Sequence, residues 1–167
     1  MTVMEAILSR RSIRKYDSRP IEQEKLDKVT EAFRQSPSAG NGQNWKLYVV
    51  KTQELREKIR KVCMREPSFV TEAPVMLIFC GTNQTVMTNS QRLDSVDVSI
   101  GTTMAILAAW EQGLGTCWMA SYKQDDMQSA LGLPDGTSIV AITPLGYPAE
   151  SPDAKPRKDA QEVIVYL

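Results

Sequence analysis

The sequence predicts an α/β or α+β sandwich in which helices cover a central sheet. Three observations lead there. Segments with helical period and segments with strand period alternate along the chain. The uninterrupted apolar run Val75–Cys80 suits a central strand covered on both faces. The helix predicted over Asp97–Gln112 has almost no polar face, so it lies centrally in the fold or in a subunit interface. The chain has 167 residues, 42% of them hydrophobic and 24% charged, with no repeat or low-complexity tract. That size carries one domain, 1–167, with a real core.

Thr2 and Glu5 form a capping-box pattern, and Val3, Ile7 and Leu8 follow at helical spacing. This first helix leads into Arg10-Arg11-Ser12-Ile13-Arg14, and Pro20 ends the segment. Glu22–Gln35 reads as a second helix with Leu26, Val29 and Phe33 on one face. Ser36–Asn44 is dominated by Pro, Ser, Gly and Asn, which read as a loop. Lys46–Lys51 reads as a strand around Leu47, Val49 and Val50. Gln53–Arg65 reads as an exposed charged helix with Leu55, Ile59 and Val62 inward. After the strand opened by Pro74, Gly81–Leu93 is a polar loop. Gly113-Leu114-Gly115 stops the apolar helix, and Thr116–Met119 resembles a short strand. Asp125–Leu131 is a small helix and Ser138–Leu145 another apolar strand. A proline-rich arm, Gly146–Lys158, leads to Glu162–Leu167. There Val163, Val165 and Leu167 alternate as in a strand that pairs with another subunit.

Twenty Lys and Arg balance twenty Asp and Glu. That argues against a nucleic-acid protein acting through a broad basic field. No apolar run is long enough to span a membrane, and Met1–Ser9 is too short and polar for a signal peptide. Cys63, Cys80 and Cys117 are odd in number and widely spaced, with no C-x-x-C pair. A reduced, cytoplasmic setting is the simplest expectation. The chain has no histidine. Ser-His-Asp and Cys-His catalysis are therefore excluded within this chain, as are the commonest zinc and haem ligands, and no metal site is expected. Chemistry here calls for a cofactor or a carboxylate.

Four segments are candidates for that chemistry. Arg10–Arg14 places three cations and a hydroxyl at a helix end. Such residues complement a helix dipole, but the density of arginine beside Ser12 favours a phosphate held by forked hydrogen bonds. Ser36–Trp45 has the composition of a surface loop. Its small residues and amides also suit close approach to a flat polar ring. Gly113–Ser121 offers a Gly-x-Gly, yet it leaves a helix where a dinucleotide fingerprint enters one. A Rossmann site is rejected there, and at Gly40-x-Gly42 for the same reason. Lys155-Pro156-Arg157-Lys158 reads as a solvated charged run or as the second half of a phosphate cage.

Taken in order, Arg-Arg-Ser-x-Arg, Ser-Pro-Ser-Ala-Gly-Asn-x-Gln-x-Trp, Gly-Leu-Gly-Thr-Cys-Trp, Leu-Gly-Tyr-Pro and Lys-Pro-Arg-Lys resemble the nitroreductase family of flavin enzymes across nearly the whole chain. The resemblance implies an α+β, three-layer α-β-α sandwich. It also implies a central, mostly antiparallel sheet and a domain-swapped C-terminal strand. It implies FMN, with the phosphate held by Arg10, Ser12, Arg14, Lys155 and Arg157, and with Arg11 adjacent. Pro37, Ser38, Ala39 and Asn41, with Gln43 beside them, would approach the flavin from the second subunit of a homodimer with shared active sites. Ala120 and Ser121 are the candidates for the backbone N–H that faces flavin N5. No side chain is catalytic in the narrow sense. The implied activity is ping-pong hydride transfer from NAD(P)H through FMN to an electron-poor acceptor such as a nitroaromatic or a quinone. The rival is a flavin-binding or sensing module without turnover. Two departures stand out. The chain is short, with Gly81–Leu93 as the only candidate for a lid, and Asn44 stands where the family usually has proline.

Overall fold

The four strands of the sheet lie in the order β1-β2-β4-β3, all antiparallel. They are β1 (Trp45–Val50), β2 (Val75–Gly81), β3 (Gly115–Thr116) and β4 (Ser138–Gly146). The structure is a computed structural model and describes residues 1–167. Its helices are α1 (Val3–Ser9), α2 (Gln23–Arg34), α3 (Gln53–Val62), α4 (Phe69–Glu72), α5 (Leu93–Glu111), α6 (Gln124–Leu131) and α7 (Ala160–Val163), with a 3-10 turn at Ala39–Asn41.

Every residue of β2 is buried, because helices cover both faces of the sheet. On one face Leu26, Val29 and Phe33 of α2 and Val98, Ala105 and Ala109 of α5 pack on Val75, Leu77 and Phe79. On the other, Ile59 of α3 and Met127 of α6 pack on Met76, Ile78 and Cys80. Alternate side chains of one strand thus feed two cores, which is the period-two geometry of a strand. The result is the three-layer α-β-α sandwich.

The capping box of α1 forms as read: the Thr2 N–H donates to Glu5 Oε2 at 2.7 Å, and the Glu5 N–H donates to Thr2 Oγ1 at 3.2 Å. The apolar central helix begins earlier than its periodicity suggests, at Leu93. One of its faces is buried through Val98, Thr102, Ala105 and Ala109. The opposite stripe, Val96, Ile100, Met104 and Leu107, is only partly covered, with Ile100 38% and Met104 44% exposed. Beside it α1 exposes Val3, Met4, Ile7 and Leu8.

Two expectations need correction, and one helix lies where none was expected. The strand read over Thr116–Met119 is only Gly115–Thr116, after which Met119 forms an isolated bridge to Ile142. The short helix α4, a single turn of four residues, is too brief to carry a helical period. The tail read as a strand from Glu162 instead begins with the helical turn α7. There the Asp159–Glu162 capping box outweighs the alternation of Val163, Val165 and Leu167. Residues 164–167 form no strand within the chain and are exposed. The outer edge of β1 pairs with nothing in the chain. No helix is long and apolar enough to cross a membrane.

Candidate cofactor site

Arg10–Arg14 leaves the helix α1 and runs along the outer edge of β3. The Ile13 N–H donates to the Thr116 carbonyl at 2.9 Å, and Ser12 bridges Thr116 in parallel. This alignment fixes alternate side chains on opposite sides. Ile13 turns inward and is fully buried, while its neighbours Ser12 and Arg14 turn the other way. The fit demands glycine at 115, where a Cβ would stand 2.7 Å from Ile13 Cγ1.

The arm after β4 then runs antiparallel to the same segment. The Asp17 N–H donates to the Tyr147 carbonyl and the Ala149 N–H to the Lys15 carbonyl, both at 2.9 Å. The Glu150 carboxylate accepts the Arg14 N–H. Continuing in that direction carries Lys155 and Arg157 back toward Arg10. All the predicted phosphate residues come together here: Arg10, Arg11, Ser12, Arg14, Lys155 and Arg157 line one cavity of about 420 Å³, with Ile7, Leu8, Pro152, Asp153 and Ala154.

The cations of this cavity are not equivalent. Arg11 donates from one nitrogen to the carbonyls of Leu8, Ser9 and Arg10 at 2.9–3.0 Å, so it closes the C-terminus of α1. This is the helix-end role that basic residues at such a position often take. Arg10, Arg14, Lys155 and Arg157 take part in no ion pair within the chain. Four cations without carboxylate partners around one cavity suit a doubly charged phosphate, and one acidic side chain, Asp153, stands at its wall.

Arg10 and Ser12 also line a second cavity of about 320 Å³, with Thr103, Ile106, Leu107, Thr116 and Trp118. A basic bay and a mixed apolar and hydroxyl trough therefore share a wall. The pair fits a molecule with a phosphate at one end and a flat ring with polar edges at the other, as FMN is built. Thr103, on α5, was not picked out from the sequence; Thr116 and Trp118 fall in the candidate segment Gly113–Ser121, but only the fold brings the three to one trough.

The loop Ser36–Trp45 is tightly specified. Gly40, Asn41 and Gln43 have φ of 57°, 55° and 49°, the left-handed region. The Ser38 hydroxyl accepts the Gln43 N–H at 3.0 Å. Asp97, on α5, accepts the Ala39 N–H with both carboxylate oxygens, at 3.1 and 3.2 Å. Yet Pro37, Ser38, Ala39, Asn41 and Gln43 line neither of the two cavities described. Within one chain the ring-loop candidates and the phosphate candidates are not brought together. Ala120 and Ser121 follow Trp118 and are exposed, and neither donates its N–H to another backbone carbonyl of the chain. The Ser121 carbonyl accepts from the Met64 N–H at 2.8 Å.

The chain's own side chains offer no redox pair. Cys63, Cys80 and Cys117 are free and buried. Burial pushes the Cys63 thiol up to about 11 and the Cys80 thiol up to about 12. Burial also raises Cys117, against the opposing pull of Arg14. These thiols are therefore protonated at neutral pH and act as small apolar side chains.

A family model described as Nitroreductase family matches residues 7–74 and 65–147. A protein of Methanothermobacter thermautotrophicus, whose provisional name couples NADH dehydrogenase with NAD(P)H nitroreductase, is 34% identical over 98% of this chain and 86% of its own. Among solved structures, a nitroreductase family protein of Clostridium difficile superposes with a TM-score of 0.88 at 29% identity, covering 99% of this chain and 98% of the other. The NADPH:FMN oxidoreductase of Vibrio harveyi, solved in complex with NAD+, superposes with a TM-score of 0.89 at 26% identity, over 98% of this chain and 76% of its own.

Proposed function

The chain belongs to the nitroreductase family, and we propose that it is an NAD(P)H-dependent oxidoreductase that carries FMN between the basic bay and the trough beside it. The observation that supports this most is the set of four cations, Arg10, Arg14, Lys155 and Arg157, which share one cavity and have no partner in the chain. FMN, when bound, supplies the two-electron chemistry that no side chain of this protein offers.

The residues then divide the work by position. Arg10, Ser12, Arg14, Lys155 and Arg157 bind the phosphate, and Arg11 keeps the end of α1 in place behind them. Trp118, Leu107 and Ile106 exclude water along the trough. Ala120 and Ser121 offer backbone N–H groups to the reacting edge of the ring. Fixed donors of this kind stabilise negative charge that develops beside them without reorganising.

The loop bearing Pro37, Ser38, Ala39, Asn41 and Gln43 reaches the ring from a second copy of the chain. The partly covered stripe of α5, with the exposed apolar residues of α1, forms the contact between copies. The exposed C-terminal residues, Val163 to Leu167, clasp the partner as a swapped strand, and the unpaired edge of β1 is the edge available to them. NAD(P)H and then an electron-poor acceptor, a nitroaromatic or a quinone, use the same open face in a ping-pong sequence. The connection between β2 and α5, residues 82–92, is short and leaves that face broad. A flavin-binding module without turnover would fill the same bay but would not reduce an acceptor.

The purified protein is expected to be yellow and to oxidise NADH or NADPH when a quinone or nitroaromatic is supplied. A colourless protein that takes up no FMN on reconstitution would refute the assignment.

A further inference from the structure

We propose that Asp97 is a positioning residue that holds the Ser36–Trp45 loop in the shape that meets the flavin ring, an inference that rests on the cofactor assignment above. Asp97 is 4% exposed. Burying a carboxylate is costly unless strong donors surround it. Its neighbour on the same helix illustrates the usual solution. Asp94, 1% exposed, takes two hydrogen bonds from Arg92 at 2.6 and 3.1 Å and one from the Ser95 N–H at 2.8 Å. Asp97 has no cation within reach and spends both oxygens on one backbone donor, the Ala39 N–H. Of the two buried acids of α5, Asp97 is the one with no arginine beside it.

The anchored point explains the cost. Ala39 opens the 3-10 turn, and the residues that follow include three in the left-handed region, two of them not glycine. Asn tolerates this region, but Gln43 rarely adopts it without support from its surroundings. From inside, the loop is closed by the Ser38 hydroxyl on the Gln43 N–H. From outside, Asp97 holds the turn. Asp97 also sits one residue from Val96 and three from Ile100, on the stripe of α5 that we assign to the subunit contact. One helix thereby sets both where the partner sits and what shape of loop it receives.

The test is a pair of titrations, with FMN and with riboflavin, on flavin-stripped protein reconstituted for each variant. Riboflavin reports the ring end alone, and FMN adds the phosphate. Asp97→Ala is expected to weaken both ligands by the same factor, roughly tenfold, and to change the visible absorption envelope of bound FMN. Arg10→Ala with Arg14→Ala is expected to weaken FMN and spare riboflavin. Asp97→Asn keeps the shape and an acceptor oxygen but loses the charge. It should weaken both ligands by a smaller, equal factor of about three, and it decides the matter if the alanine variant does not fold. Unchanged affinity for both flavins with a wild-type spectrum, in Asp97→Ala or failing that in Asp97→Asn, overturns the inference. Weakening of FMN without weakening of riboflavin overturns it as well. A wild-type protein that binds neither flavin removes the cofactor assignment itself, and this inference with it.

Discussion

Arg11 donates to three carbonyls at the end of α1, whereas Arg10, one residue earlier, has no ion pair and faces both cavities. The motif Arg-Arg-Ser-x-Arg therefore contains an arginine that closes a helix end between two that we assign to the phosphate, and the sequence alone offers no way to tell them apart. Gly115 is the other decisive residue at this scale, since the basic segment approaches β3 closely only because no Cβ intervenes. Gly115→Ala is expected to cost about 1–3 kcal/mol by overpacking against Ile13, and to weaken FMN binding because Ser12 and Arg14 move with it. Thermal unfolding with and without FMN measures both; a variant with wild-type melting and wild-type affinity would show that the close approach has no consequence. Asp97 was legible in principle, as an acid in the apolar stretch of α5, since buried charges are rare unless they hold something. Its partner, a backbone N–H from a loop 58 positions earlier, was not.

At the scale of elements, β2 and α5 were the most readable parts of the chain. A run of six apolar residues has no solvent face to offer, and β2 is buried throughout. The apolar character of α5 meets two needs: one face packs on the sheet and α2, and the other is left partly open. The tail was harder to read, because alternation marks a strand only where an edge exists to pair with. Within the chain the tail finds none, and a capping box turns its start into helix instead. If the open stripe of α5 is the subunit contact, a charge at Met104, which is 44% exposed, meets solvent in the monomer and a desolvated partner in the dimer. Met104→Asp is expected to shift sedimentation from dimer to monomer and to lower FMN affinity in parallel. A variant that sediments as wild type would place the contact elsewhere.

At the scale of the whole molecule, the sheet order and the two helical layers bring residues 10–14 and 155–157 to one place, although some 140 positions separate them in the chain. The basic clusters were visible in the sequence; their convergence depends on the antiparallel run of the arm against Arg14–Asp17, which no local pattern encodes. The loop at 36–45 remains apart from that place within one chain, and the account joins them through a second copy. Its central claim is that this bay grips the phosphate of FMN. Titration of the flavin-stripped wild-type protein with FMN and with riboflavin tests that claim most directly. Several charge-assisted hydrogen bonds at 1.5–3 kcal/mol each predict that FMN binds at least roughly a hundredfold more tightly. Affinities for the two flavins within about twofold of each other would contradict it.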